Sequence, residues 1–143
     1  MTTAEYDMLH SVTVIKEINI LKKNFSFSLD EMHTSKDLSF EFNIEDGINI
    51  ENNLLSKIID VHVLGNRKKE PLADLRILYS FSVKNVSDFV IKKDENMIVD
   101  PSLNDWLDNI VLATTRGIMY SEFRGTYVDN VILPIINTHT PHN

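Results

Sequence analysis

Apolar and polar residues alternate over long stretches of this chain. Leu38, Phe40, Phe42, Ile44, Ile48 and Ile50 occupy even positions, with Ser39, Glu41, Asn43, Glu45, Asn49 and Glu51 between them. A period of two places the first set on one face of a sheet and the second in water. Asp46-Gly47 interrupts the run without changing its phase, which predicts a bulge or bend; a tight Asp-Gly hairpin is the competing reading. Ile59, Val61 and Val63 then alternate with Asp60 and His62, and Leu75, Ile77, Tyr79, Phe81 and Val83 with Arg76, Ser80 and Ser82. The short polar loop at 65–71 between these runs implies an antiparallel pair. Earlier, Val12, Val14, Ile18 and Ile20 share one phase while Phe25, Phe27 and Leu29 share the other, so a break is expected near Lys22-Lys23-Asn24.

The period changes after residue 100. Leu103, Trp106, Leu107, Ile110, Val111, Ala113, Thr114, Gly117 and Ile118 follow three-four spacing, the signature of an amphipathic helix. Asp100-Pro101-Ser102 supplies a cap and a first-turn proline, and Ser102 with Asp105 resembles a capping box. Arg124 suits a helix C-terminus and Gly125 a left-handed stop. Gly117 implies either a close backbone approach or an exposed, unimportant glycine. Val86, Phe89, Val90 and Ile91 fit a short helix or an edge strand, and 92–96 reads as a loop. The fold class is therefore α+β: a four-stranded antiparallel sheet, wet on one side, with one long C-terminal helix on the other.

The 143 residues fit one domain, 1–143, and 43% apolar and 24% charged residues are ordinary for a globular protein. A net charge of −7 disfavours nucleic acid, since phosphate contacts need clustered cations. The cluster Arg67-Lys68-Lys69 reads as a solvated loop tip. No apolar run reaches the roughly 20 residues of a membrane span. The polar start lacks a signal peptide, and there is no cysteine, so membrane insertion is not expected and a cytoplasmic location is.

Chemistry is hard to find. The five histidines, His10, His33, His62, His139 and His142, form no HExxH, and His139 and His142 fall on a terminus. His62 points to the wet face. Glu41, Glu45 and Glu51 form a row without a facing acid or base. The chain reads as a non-enzyme with no cofactor and no metal.

One stretch stands out. Residues 110–127 run into Arg124-Gly125-Thr126-Tyr127, and Ile132-Leu133-Pro134-Ile135 follows. This resembles the SecB family of export chaperones, in which a long helix ends in an Arg-Gly-Thr-aromatic turn and an aliphatic-x-Pro-aliphatic segment follows at the same distance. Arg124, Gly125, Thr126 and Pro134 carry the motif. The resemblance covers about 28 residues and agrees with the strand order before the helix. It implies an acidic, cytosolic homodimer or homotetramer that holds unfolded polypeptides in apolar grooves and delivers them to the SecA motor, or a dedicated chaperone for an antitoxin. Only nine residues follow Pro134, which leaves no room for the family's second C-terminal helix and implies an unlidded groove.

A holdase without nucleotide chemistry needs exposed apolar area that does not self-aggregate, and acidic charge around a groove meets both needs. The helix end and the tail supply the candidates for client binding: Met119, Tyr120, Phe123, Tyr127, Ile132, Leu133 and Ile136. Methionine and aromatic side chains adapt to varied partners. Trp106, Ile110 and Ile118 are expected in the core or an interface. The expected function is an ATP-independent chaperone, serving export or unfolded proteins generally. The alternatives are an adaptor for one partner and a structural interaction protein.

Overall fold

The computed structural model describes residues 2–4, 12–25, 38–65 and 71–124. Four long strands form one antiparallel sheet: β1 (Thr13–Phe25), β2 (Leu38–Asn49), β3 (Leu54–Gly65) and β4 (Pro71–Val83). Their order, β1-β4-β3-β2, places three consecutive strands side by side and returns β1 next to β4, as in a Greek key. A turn, Val86–Phe89, and a small hairpin of β5 (Val90–Lys93) and β6 (Asn96–Val99) lead into one helix, α1 (Pro101–Glu122).

The alternation works as expected on β3 and β4. Ile59, Val61 and Val63 and, opposite them, Leu75, Ile77, Tyr79, Phe81 and Val83 are almost entirely buried. Leu103, Leu107, Val111, Leu112, Met119 and Phe123 of the helix complete the core, with Trp106, Ile110 and Ile118 packed at its margin. The outer face is wet: Arg76 donates to Asp60 at 2.6 Å and lies 3.7 Å from Glu45, while His62 contacts Asp74. His62 is thus half-exposed, as expected, but has a carboxylate partner.

Three local readings are corrected or extended. The Asp46-Gly47 step is neither bulge nor hairpin; the β2–β3 ladder runs through it in unbroken register, Asp46 opposite Lys57 and Gly47 opposite Ser56. The Asp46 carboxylate takes an inward position because a cation waits there: Lys57 donates to it at 2.6 Å. The β2–β3 turn lies instead at Ile50–Asn53, closed by Asn53 N–H to Ile50 O at 3.2 Å. Asn53 adopts φ 52°, where asparagine is among the better-tolerated side chains.

β1 carries two register shifts, one between Ile15 and Glu17, which the sequence does not announce, and one between Ile20 and Lys22, beside the break expected near Lys22-Lys23-Asn24. The first rotates the strand so that Ile15, Ile18 and Ile20, opposite Phe81, Tyr79 and Ile77, share the helix-facing side. Val14, opposite Ser82, faces the other way.

Lys92, Lys93 and Asn96 belong to β5 and β6, with only Asp94 and Glu95 in the turn; Asp94, at φ 56°, makes that turn tight. The helix cap is the Asp100 carboxylate, which accepts from Ser102 N–H at 3.0 Å and Leu103 N–H at 3.4 Å. The Asp100 N–H in turn donates to Phe89 O at 2.6 Å, which fixes the hairpin to the helix start. Gly117 lies on the exposed face, and a Cβ there would meet nothing within 4 Å, so among the described residues no backbone approaches it.

Candidate polypeptide-binding surface

Three polar contacts set the path of α1 across the sheet. Near its start, Asp108 lies 2.8 Å from the ammonium of Lys57 on β3, and Asn104 accepts from the same group. In the middle, the Thr115 hydroxyl meets the Tyr79 hydroxyl of β4 at 2.7 Å. At the end, Glu122 accepts from Lys23 of β1 at 2.6 Å. The helix therefore runs diagonally, from the β2–β3 side to the Lys23 end of β1.

Burial dominates the electrostatics beneath it. Lys57 is only 1% exposed and is compensated by Asp46 and Asp108. Burial pushes the Asp108 carboxyl above its ordinary range, although the Lys57 hydrogen bond and charge pull it down. Burial also raises the Tyr79 phenol to about 12, with the Thr115 hydrogen bond opposing part of the shift.

A diagonal helix cannot cover both edges of the sheet. Ile15, Ile18 and Ile20 face the helix side, yet they are 44%, 42% and 39% exposed, while their ladder partners Phe81, Tyr79 and Ile77 are 0% exposed. The core is thus continuous with an open apolar stripe on β1. Among the described residues β1 has no strand on its outer edge, so its backbone donors and acceptors border the same stripe. Lys16, Glu17, Lys22 and Lys23 punctuate the strand with charge, a pattern that limits edge-to-edge aggregation. The arrangement can take an extended apolar segment by side-chain contact and strand addition.

The candidates from the helix end divide. Tyr120 is 58% exposed and available. Met119 and Phe123, read from sequence as groove residues, are both 0% exposed and fill the space between helix and sheet. Their observed role is core packing. Arg124 is exposed, one residue beyond the Phe123 cap. Gly125, Thr126, Tyr127, Ile132, Leu133, Pro134 and Ile136 lie outside the described residues, as do His10, His33, His139, His142 and the basic cluster at 67–69. The β1 stripe was missed because its apolar residues change phase at the bulge; the run Val14-Ile15, Ile18, Ile20-Leu21 in one strand was the available signal.

Among the described residues no group of His, Asp and Glu is placed to hold a metal ion, and no helix is long and apolar enough to cross a membrane. His62 and Asp74 pair on the open outer face beside Lys22 rather than in a cleft.

The scan against protein-family models finds no match, and the search of curated proteins finds none either. The fold does have relatives among solved structures. The SecB-like chaperone Rv1957 of Mycobacterium tuberculosis, solved in complex with a ChAD peptide from the HigA1 antitoxin, superposes with a TM-score of 0.57. The match covers 91% of this chain and 94% of that one at 12% identity, so the shared property is the SecB-like fold.

Proposed function

We propose that the protein is a SecB-like chaperone or adaptor that holds a non-native polypeptide against the helix-facing side of β1, with Tyr120 contributing from the helix. The observation that carries this reading is the half-exposed Ile15, Ile18 and Ile20 beside a fully buried core. Such a stripe on a long edge strand is an aggregation hazard unless something occupies it. Binding is by burial and backbone pairing, so no nucleotide and no catalysis is involved. The tail residues Tyr127, Ile132, Leu133 and Ile136 extend the surface in this proposal, and assembly into dimers or tetramers multiplies it. Delivery to SecA is the export form of the same reading.

The narrower form, a chaperone dedicated to one partner such as an antitoxin, is favoured by a specific finding: the structurally similar chaperone was solved with an antitoxin peptide. Light scattering from a chemically denatured client, diluted with and without the protein and without nucleotide, tests the general form. Suppression that is lost in Ile18→Asp, with unfolding midpoint unchanged, supports it. No suppression at several-fold excess, together with tight binding to one co-expressed partner, selects the dedicated adaptor. Absence of both contradicts the proposal.

A further inference from the structure

One ammonium beneath the start of α1 is shared by two carboxylates, and their charges do not balance. Lys57 of β3 is 1% exposed; a carboxylate oxygen of Asp46 on β2 lies 2.6 Å from its nitrogen and one of Asp108 on α1 lies 2.8 Å away. The Asn104 side chain accepts from the same nitrogen and adds no charge. From β4 comes Tyr79, the cross-strand partner of Lys57, whose hydroxyl is taken by Thr115. Asp105, three residues before Asp108 on the helix, adds negative field although it makes a contact of its own. Within the triad, two carboxylates against one ammonium leave one negative charge in excess.

That excess is placed unevenly. Asp46 is 43% exposed and keeps water on its carboxylate, whereas Asp108 is 18% exposed. Both carboxylates sit against one nitrogen, so they also repel each other at short range. Desolvation disfavours the charged form of a carboxyl, and a like charge beside it does the same. Burial is the largest influence raising the Asp108 carboxyl above the ordinary 3.8, and the Asp46 and Asp105 charges add to it against the pull of Lys57. Asp108 therefore takes the proton.

An ordinary salt bridge weakens in acid because its carboxylate is lost. Here the carboxylate lost is the surplus one. Lys57 stays paired with Asp46, and the neutral Asp108 carboxyl still offers its carbonyl oxygen to the ammonium. The folded chain holds this proton more tightly than the unfolded chain does. Stability is therefore gained as pH falls through the titration of Asp108 and lost as pH rises through it.

We propose that Asp46, Lys57 and Asp108 form a proton-linked strut: one proton taken up at Asp108 tightens the start of α1 against β2 and β3, and its release loosens that corner. The triad joins three elements through a single nitrogen, so its charge state acts on the helix start directly. The inference concerns the seating of the helix and stands apart from any polypeptide held at β1.

Carbon-13 titration of the carboxyl groups in the full chain, with urea unfolding of native and Asp108→Asn protein at pH 8 and pH 5, tests this. The Asp108 signal is expected to titrate above 3.8. Asp46→Asn is expected to bring that midpoint down, because one repelling charge is gone. Asp108→Asn, which lacks the surplus charge at every pH, should have the higher urea midpoint at pH 8, and the gap should narrow at pH 5. Amide protection over 103–111, corrected for intrinsic exchange, should rise about tenfold from pH 8 to pH 5 in the native protein and stay level in Asp108→Asn. An Asp108 midpoint at or below 3.8 overturns the proposal, and so does one that Asp46→Asn leaves unmoved or raises. A gap of equal size at both pH values, or protection that rises equally in both proteins, overturns it as well. The native titration needs no variant, so it decides the matter even where Asp108→Asn fails to fold.

Discussion

Lys57 stands in the core phase of β3, between Leu55 and Ile59, where two carboxylates and an amide converge on it. Lys57→Met removes the cation and strands Asp108, which is only 18% exposed, so unfolding in urea should show a loss of about 3 kcal/mol. A loss near zero would mean that water already compensates those carboxylates. Sequence periodicity locates β3 but gives no hint of this network, because Asp46, Asn104 and Asp108 meet Lys57 only after the helix is laid across the sheet. Tyr79 offers a second residue-level check. Its folded pKa, about 12, lies above the ordinary 10.0, so the folded chain binds more protons than the unfolded chain between these values. Stability present below pH 10 should therefore fall as pH rises toward 12. The thermal midpoint of the native protein should drop more between pH 9 and 11 than that of Tyr79→Phe; equal drops would contradict the assignment.

At the scale of elements, strands with one strict phase were legible and those with corrected phase were not. Apart from Lys57, β3 and β4 follow the sequence pattern along their buried face, and the helix was readable from its spacing and from Asp100-Pro101. β1 was misread in detail because a bulge moves Ile18 and Ile20 onto the face of Ile15, which a fixed period of two assigns to opposite sides. The β5–β6 hairpin was hidden by its lysines, which read as loop although they occupy strand positions. On the helix, Gly117 is exposed with open space around it, so Gly117→Ala should raise stability by about 0.5–1 kcal/mol through helix propensity alone. A destabilised variant whose solution mass also falls would show instead that a second copy packs against that face.

For the molecule as a whole, the sequence pointed to the helix end as the candidate surface, and the structure places most of the open apolar area elsewhere. Met119 and Phe123 seal the core, Tyr120 stays outside, and the larger open apolar area belongs to β1. The reason is geometric: the helix end lies against one tip of β1, where Glu122 meets Lys23, and the stretch from Ile15 to Ile20 is left uncovered. A helix stripe announces that its residues are apolar, not which of them the sheet will cover. The SecB-like architecture, legible from strand order and one motif, is matched by the structural comparison at the level of the fold. Amide hydrogen exchange of the protein, alone and with an unfolded client bound, tests the central claim most directly. Slowed exchange is expected from Thr13 to Leu21 on β1, an edge strand among the described residues. Unchanged exchange there, with protection appearing elsewhere on the same bound client, would contradict it.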